Sequence, residues 1–331
     1  MFNHPFVERN YKNKIDEGGC KMFLKRVLFI LLAFLLIAGL AFGASEKKSE
    51  KITIVYTGYP GGLTAYWAQM AKYMNEEAKA LGVKLIDLSP TTADANLQKQ
   101  AVDNAIDMGA QGIIIGAIDN RAFGESLKKA ASKGIIVTSV DTAIDDPNVK
   151  ALAQTDNLAS ARMMGQYIVD HTQKGKALIL GGTLGHQTGD ARRDGVKQVL
   201  EANGYQVIFR ACDWDDKKAY ETTINELDAN PDIVAVFGCW DPGALAGLAA
   251  VKEKDRLGNI KVFGFDGLPA AFKSIKDGEL TATVKQDNKQ MAHVIMKTTI
   301  LLIKGQEPPV KNLLIPGVIV DKSNVDKFLS E

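Results

Sequence analysis

The fold is decided by two stretches of sequence that follow one pattern, DMGAQGIIIGAIDN (residues 107–120) and DANPDIVAVFGCWD (residues 228–241). Each contains the end of a helical segment, a turn, a short strand rich in β-branched residues and a loop with an aspartate, in that order. A second pair, KALGVKLIDL and EANGYQVIFR, matches in the same way, with Gly82 and Gly204 placed to close a helix before a strand. The sequence therefore predicts two similar α/β domains.

Short apolar strands alternate with amphipathic helical stretches from Ile52 onward. The predicted strands are 52–56, 83–88, 112–116, 135–140, 177–182, 206–210, 233–238, 261–265 and 282–286. The predicted helices are 65–80, 94–108, 123–132, 157–173, 190–203, 217–229, 243–254 and 288–304. Because the strands are apolar throughout, both faces of each sheet are expected to be covered. The fold class is α/β, with two doubly wound parallel-sheet domains that present a ligand edge beyond the carboxyl ends of their strands.

Bulk composition limits the classes of function. The chain has 331 residues, of which 46% are hydrophobic, enough for about two domains with cores of their own. The formal net charge is +1, so no charge excess favours nucleic acid or an anionic membrane surface as a partner. The sequence has no phosphate loop, dinucleotide fingerprint, nucleophile elbow or His/Cys pair at metal spacing, and we expect no cofactor and no metal.

The N-terminal part has the pattern of a secretory signal. Two basic residues precede an uncharged apolar run over 27–42, and small residues follow it, so residues 22–43 are predicted to be a cleaved signal peptide. A retained N-terminal anchor is the alternative. Residues 1–21 are predicted to be a non-native upstream extension, with translation starting at Met22. The protein is therefore expected to act in the periplasm or another extracytoplasmic compartment.

The cysteines and histidines carry weaker signals. An oxidising compartment permits Cys212 and Cys239 to pair, and two separate small buried side chains are the alternative. His171, His186 and His293 are isolated from one another and from cysteine in sequence, and we interpret them as surface or core residues, with a ligand role as the alternative for His186.

Polar and aromatic residues gather at the predicted carboxyl ends of the strands, where a doubly wound sheet binds its ligand. The candidate ligand-binding residues are Tyr66, Trp67, Asp119, Asp141, Thr155, Arg192, Trp214, Trp240, Asp266 and Gln286. They include all three tryptophans of the chain. A sugar or polyol presents hydroxyl groups at its edge and C–H groups on its faces, so it needs planar hydrogen-bonding side chains at the rim and aromatic rings against the faces. This set predicts such a site.

Simpler interpretations stay open for several of these residues. The three aspartates are also suited to capping the next turn or helix, and the later tryptophans to anchoring loops. Of the adjacent arginines, only one can face a cleft from a helix, and the spacing to Gly195 favours Arg192 over Arg193.

From about Lys51 to its end, the chain resembles the type I periplasmic substrate-binding proteins of sugar ABC transporters, in particular the ribose-binding group. It also resembles the ligand-binding core of the related sugar-responsive repressors. The motifs that carry the resemblance are AYW (65–67), IIVTSVD (135–141), TDN (155–157), R-x-x-G (192–195), DWD (213–215), VFGFDG (262–267) and TVKQ (283–286). Each motif is weak alone, and their order and spacing make the match specific.

The resemblance implies roles for the matching residues. Aromatic rings would sandwich the sugar, polar groups would hydrogen-bond its hydroxyls, and one hydroxyl would lie at the first hinge crossing. The rings would be those of Tyr66, Trp67 and Trp214. The polar groups would be those of Asp141, Arg192, Asp266 and Gln286. The hydroxyl at the hinge would be that of Thr155.

Three positions depart from the ribose-binding pattern. Thr142 stands where an arginine is usual, and Gly116 and Trp240 stand where asparagines are expected. Fewer amide and guanidinium donors, with one more ring, suggest a ligand other than ribose, such as a hexose, xylose or a cyclitol.

The resemblance further implies a three-crossover hinge near 154–157, 284–288 and 312–317. The N-terminal domain would comprise 51–154 and 288–312, and the C-terminal domain 155–286 and 316–331. The implied function is that of an extracytoplasmic binder, not an enzyme, that captures a sugar or polyol between the domains, closes by hinge motion and delivers it to an ABC permease. We expect a monomer.

The same residues leave three alternative functions to consider. A carbohydrate-active enzyme would use Asp141 and Asp266 as acid and base. A transcriptional regulator would need a DNA-binding motif before Ile52, where the sequence has an apolar signal instead. A binder that serves a sugar-like signal or a chemoreceptor would share the same fold.

Overall fold

The computed structural model describes residues 51–62 and 64–329. The predicted signal peptide, the upstream extension and the start at Met22 lie outside these residues. The described part forms the following elements. The first group is β1 (Thr53–Thr57), α1 (Ala65–Leu81), β2 (Lys84–Asp87), α2 (Ala95–Asp107), β3 (Gly112–Ile115), α3 (Gly124–Ser132), β4 (Ile136–Val140) and β5 (Val149–Thr155). The second is α4 (Asn157–His171), β6 (Lys176–Gly181), α5 (Gln187–Ala202), β7 (Gln206–Ala211), α6 (Asp216–Ala229), β8 (Ile233–Gly238), α7 (Asp241–Glu253), β9 (Lys261–Asp266), α8 (Pro269–Asp277) and β10 (Ala282–Lys285). The third is α9 (Asn288–Ile303), β11 (Asn312–Ile315), β12 (Val318–Asp321) and a 3-10 turn over Val325–Lys327.

The strands form two six-stranded sheets with matching topology. Their orders are β11-β5-β4-β3-β1-β2 and β12-β10-β9-β8-β6-β7. The first sheet is parallel throughout, and in the second only β12 pairs antiparallel, with β10. In each sheet the strand order reverses at one point, beside β1 and beside β6. The prediction of two doubly wound parallel-sheet domains is confirmed, and the reversal points mark the crevices where such sheets bind ligands.

Four strands and helices were not predicted from the sequence, namely β5, α8, β11 and β12, and neither was the 3-10 turn. Strand β5, VKALAQT, mixes polar and apolar residues, and its burial is complete only over its last three residues. Helix α5 also begins earlier than expected, at Gln187. Because of this earlier start, His186 is the N-cap residue of α5 and Thr188 lies in its first turn.

Burial follows from the apolar strands, as predicted. All four residues of β3 are buried, as are the last four of β1. Helices cover the sheets and end where the sequence indicates: Gly82 takes a left-handed φ of 69° to close α1, and Gly204 takes a φ of 78° after α5.

The chain passes between the two sheets three times, after Thr155, between Lys285 and Asn288, and between Ile315 and Val318. Helix α9 returns to the first sheet, where Met291, Ile295 and other apolar residues of the helix join its core. The three-crossover connection is therefore present, while the residue limits predicted for each domain stay predictions.

Three further findings concern only the residues that the structure describes. No helix among them is long and apolar enough to cross a membrane. No group of three or more metal-type side chains is found there. Cys212 and Cys239 are both buried and free, and burial raises the pKa of the Cys239 thiol to about 12.

Candidate functional site

A cavity lies where the carboxyl ends of strands from both sheets meet. Its lining residues are Tyr59, Thr64, Tyr66, Trp67, Ala117, Asp141, His186, Thr188, Arg192, Trp214, Trp240, Pro242, Asp266, Leu268 and Gln286. Eight of the ten predicted binding residues are among them, and the other two, Asp119 and Thr155, are not. The edges of both sheets thus contribute to one site.

The first-sheet side of the cavity is built around Asp141, directly after β4. Its carboxylate accepts a hydrogen bond of 2.6 Å from the hydroxyl of Tyr66 and one of 3.0 Å from that of Thr142. Burial and the nearby Asp141 charge raise the pKa of Tyr66 well above its usual value, so the phenol keeps its proton and donates. Asp141 is only 4% exposed, and its remaining acceptor capacity is available to ligand hydroxyls.

The second-sheet side is built around Arg192, which is 3% exposed on α5. Its guanidinium donates to the side chain of Asn157 at 2.9 Å, to the carbonyl of Cys239 at 2.9 Å and to Asp266 at 3.0 Å. The guanidinium carbon also lies 4.0 Å from the ring centre of Phe265. These four contacts fix the plane of the guanidinium. Arg192, which the sequence favoured over Arg193, is therefore a rigid donor in the cavity wall.

Gln286 joins the two sides. Its amide nitrogen donates to Asp266 at 2.8 Å, and its oxygen accepts from Thr155 at 2.7 Å and lies 3.4 Å from the Tyr66 hydroxyl. Thr155 is buried and lies behind Gln286, so it acts on the cavity through that amide. Polar groups from both sheets therefore form one connected network.

Aromatic rings supply the apolar walls. Trp214 and Trp240 meet edge to face, with ring centres 5.5 Å apart. Trp67 meets Tyr66 edge to face at 5.4 Å and stacks with Tyr59 at 6.3 Å. The cavity thus combines apolar ring faces with fixed donors and acceptors, the composition that a hydroxylated ring requires.

The backbone is strained at the same place. Within the described residues, five non-glycine residues have positive φ, namely Asp141 (66°), Asp213 (56°), Trp214 (61°), Asp255 (52°) and Asp266 (137°). Four of them lie in or beside the cavity. Such conformations cost about 1–3 kcal/mol each and concentrate at sites where a side chain must point in one direction.

Comparison with known proteins shows the family to which this chain belongs. A family model described as periplasmic binding protein domain matches residues 54–307. The chain belongs to the type I periplasmic binding proteins. Within them it falls in the ribose-binding group, and this family consists of the solute-binding components of transporters, not enzymes. The family acts in the periplasm.

Two relatives and one solved structure illustrate the match. The D-allose-binding periplasmic protein of Escherichia coli is 31% identical over 234 residues, which are 67% of this chain and 75% of the relative. The ribose import binding protein of Bacillus subtilis is 28% identical over 243 residues, 73% of this chain and 79% of the relative. A periplasmic solute-binding protein of Actinobacillus succinogenes, solved with D-allose, has a TM-score of 0.76 at 24% identity and covers 84% of this chain and all of that one.

Asp119 lies outside the cavity of this binding protein. Its carboxylate is paired with Arg121 at 3.0 Å and also accepts from the backbone of Arg121, which lowers the pKa of the carboxyl. The capping interpretation fits it better than ligand binding, since it closes its own loop.

Seven cavity residues were not among the predicted binding residues, namely Tyr59, Thr64, Ala117, His186, Thr188, Pro242 and Leu268. Thr188 reaches across the cavity, with its hydroxyl 3.4 Å from the carbonyl of Asp141. His186, interpreted as a surface or core residue, lines the cavity and meets Trp214 edge to face at 5.5 Å. Tyr59 completes the wall beside Trp67. The signal that could have found Tyr59, His186 and Thr188 is the earlier start of α5, together with the length of the loop after β1.

Asp241 was also missed, and it holds one side of the cavity in shape. It is fully buried and accepts from the backbone of Gly267 at 2.8 Å and Leu268 at 2.7 Å, and from Thr283 at 2.6 Å. These bonds fix the loop that carries Asp266. Burial raises the pKa of both aspartates, and for Asp266 the Arg192 charge acts in the opposite direction.

We expect Asp241→Asn to change how stability depends on pH. A carboxyl whose pKa is raised by folding contributes stability below its unfolded pKa and loses it as the pH rises toward its folded pKa. An asparagine has no such loss, so the variant should gain up to about 2 kcal/mol relative to wild type between about pH 4 and pH 7. Denaturant unfolding at a series of pH values measures this difference. The exposed Asp145→Asn is the control, and a difference that does not vary with pH would contradict the assignment.

Proposed function

We propose that this binding protein captures a ring-shaped sugar or cyclic polyol in the cavity between its two sheets, closes around it and delivers it to an ABC permease. The observation that carries the proposal is the composition of the cavity, in which three tryptophans stand around a fixed network of carboxylates, guanidinium and amide. Hydroxyls of the ligand would bond to Asp141, Arg192, Asp266 and Gln286, and its C–H faces would lie against Trp67, Trp214 and Trp240.

The relatives support a ligand of this class. The two relatives described above are named for D-allose and ribose. Among the three wall tryptophans, Trp240 stands where the ribose-binding pattern has an asparagine, so the wall has one more apolar ring and one amide fewer, which favours a ligand other than ribose. A hexose, xylose or a cyclitol fits this description.

Hinge motion explains how binding becomes transport. Ligand contacts come from both sheets, so a bound sugar stabilises the arrangement in which they meet. The permease would then recognise that arrangement. We further propose that residues 22–43 direct secretion, that the protein is a monomer, and that a chemoreceptor is a second partner beside the permease.

Native mass spectrometry of the purified protein, followed by calorimetry with a panel of pentoses, hexoses and cyclitols, tests the proposal. A ligand with micromolar affinity should raise the melting temperature by several degrees at saturating concentration. If no member of the panel gives a heat signal or a thermal shift, and the native mass equals that of the bare chain, sugar binding is wrong.

Ligand affinity should depend on pH through His186. Burial in the cavity wall lowers the pKa of this imidazole, with Asp141 and Asp119 acting in the opposite direction and Arg192 adding to the shift. The closed form therefore binds fewer protons than an exposed histidine, so affinity should fall as the pH drops below about 6.5. We expect a loss of about 3-fold to 10-fold between pH 7.5 and 5.5.

The comparison of two histidine variants isolates this effect. His186→Gln should flatten the calorimetric affinity profile, whereas His171→Gln, at an exposed position on α4, should leave it unchanged. An unaltered slope in His186→Gln would assign the pH dependence elsewhere.

A further inference from the structure

Each tryptophan of the cavity wall lies against a glycine. A Cβ atom added to Gly116 would lie 2.5 Å from Cζ3 of Trp67 and 2.7 Å from its Cη2. One added to Gly58 would lie 2.1 Å from the hydroxyl oxygen of Tyr56, and 3.2 Å from Cε3 of Trp67. Ordinary van der Waals contact begins near 3.4 Å, so the Trp67 ring occupies space that exists only because position 116 has no side chain.

The other two tryptophans repeat this arrangement. A Cβ on Gly182 would lie 2.1 Å from Cε2 of Trp214, and one on Gly189 would lie 2.9 Å from its Cζ2. A Cβ on Gly243 would lie 2.4 Å from Cη2 of Trp240. The pattern therefore holds for every tryptophan of the chain.

The backbone does not require glycine at these positions. None of the five has a positive φ, unlike Gly82 or Gly204. Gly189 and Gly243 are each the third residue of a helix, α5 and α7, a position that does not call for glycine. Contact with the rings is what the absence of a side chain provides.

We propose that these glycines are specificity-determining residues, which seat the three tryptophans and so set the size of ligand that the cavity admits. The proposal rests on the proposed binding of a sugar or cyclic polyol. A methyl group at Gly116 would move the six-membered ring of Trp67 by roughly 1 Å, and the cavity is the open space beside that ring. The cavity would lose volume without losing any hydrogen-bonding group.

Gly116→Ala tests this, with matched ligands that differ by one hydroxymethyl group, such as D-glucose and D-xylose or D-allose and D-ribose. A single methylene in an apolar pocket changes discrimination by about 10-fold to 200-fold. We expect calorimetry to show a loss of at least about 10-fold for the preferred ligand, and a larger loss for the bulkier member of each pair. Gly124→Ala is the control, because a Cβ there meets nothing within 4 Å.

A double substitution shows whether the effect passes through the ring. Trp67→Phe removes the atoms that the new methyl would meet, so adding Gly116→Ala to that variant should cost less than about 2-fold. Equal losses from Gly116→Ala in both backgrounds, or no loss beside the intact tryptophan, would overturn the proposal.

Failure of the proposed function would look different. If the wild-type protein binds no member of the panel, sugar binding is wrong. The contact between Gly116 and Trp67 can then be tested on the ligand-free protein. Acrylamide should quench tryptophan fluorescence more strongly in Gly116→Ala than in Gly124→Ala, and equal quenching would overturn the seating of Trp67.

Discussion

Arg192→Lys should lower the affinity for the ligand by at least about 100-fold, although it keeps the positive charge. The guanidinium donates in three directions, to Asn157, the Cys239 carbonyl and Asp266, and a lysine ammonium is a point charge that cannot hold all three. The carboxylate of Asp266, which the guanidinium holds, would lose the orientation that the ligand needs. The free energy of unfolding should also fall, by about 1–3 kcal/mol, because buried acceptors lose their donors.

The neighbouring arginine provides a matched control. Arg193 is on the same helix, is 20% exposed and pairs with Asp190 and Asp194. Arg193→Lys should change the affinity by less than about 2-fold, since a partly exposed pair contributes little. Calorimetry on both variants decides the matter, and similar affinities for the two would remove Arg192 from the site.

Trp214→Ala should weaken binding by about 30-fold or more, because a wall ring that covers the ligand face is lost together with its apolar contact area. Trp214 also meets Trp240 and His186 edge to face, so its removal leaves both neighbours without support on one side. The effect on stability should be smaller than the effect on affinity, because the ring is only partly buried.

Trp214→Phe is the conservative companion. It keeps an aromatic face in the wall and should retain affinity within about 10-fold of wild type. The melting temperature of each ligand-free variant, measured beside its calorimetric affinity, separates loss of fold from loss of ligand contact. If alanine and phenylalanine variants bind equally, the ring does not face the ligand.

Much of this site could be predicted because strand ends are visible in sequence. Asp141 and Asp266 each follow an apolar run directly, and parallel strands bring such positions to one edge. Asp119 also follows an apolar run in the sequence, although it lies four residues beyond the end of β3, and it pairs with Arg121 two residues later. Position along the chain could not separate these cases, since the choice depends on a local partner.

The unpredicted parts depend on contacts between distant segments. Asp241 has the sequence context of a helix start, and its role comes from backbone N–H groups of the loop after β9, which lies beside it only in the folded chain. A ligand role for His186 was only the alternative interpretation, because the pattern placed the start of α5 at residue 190 and the helix begins at Gln187. Strand β5 was unrecognised because its outer half is partly exposed and mixed in polarity.

The hydrogen bond between Thr155 and Gln286 has a consequence for how this protein can evolve. Both residues lie where the chain passes from one sheet to the other, and Gln286 also lines the cavity. If Gln286 binds the ligand as proposed, recognition and hinge bending would share these two side chains. A lineage that changes its nutrient by altering Gln286 or its neighbours would also reset how readily the molecule opens, so selectivity and the rate of cargo release would be inherited together.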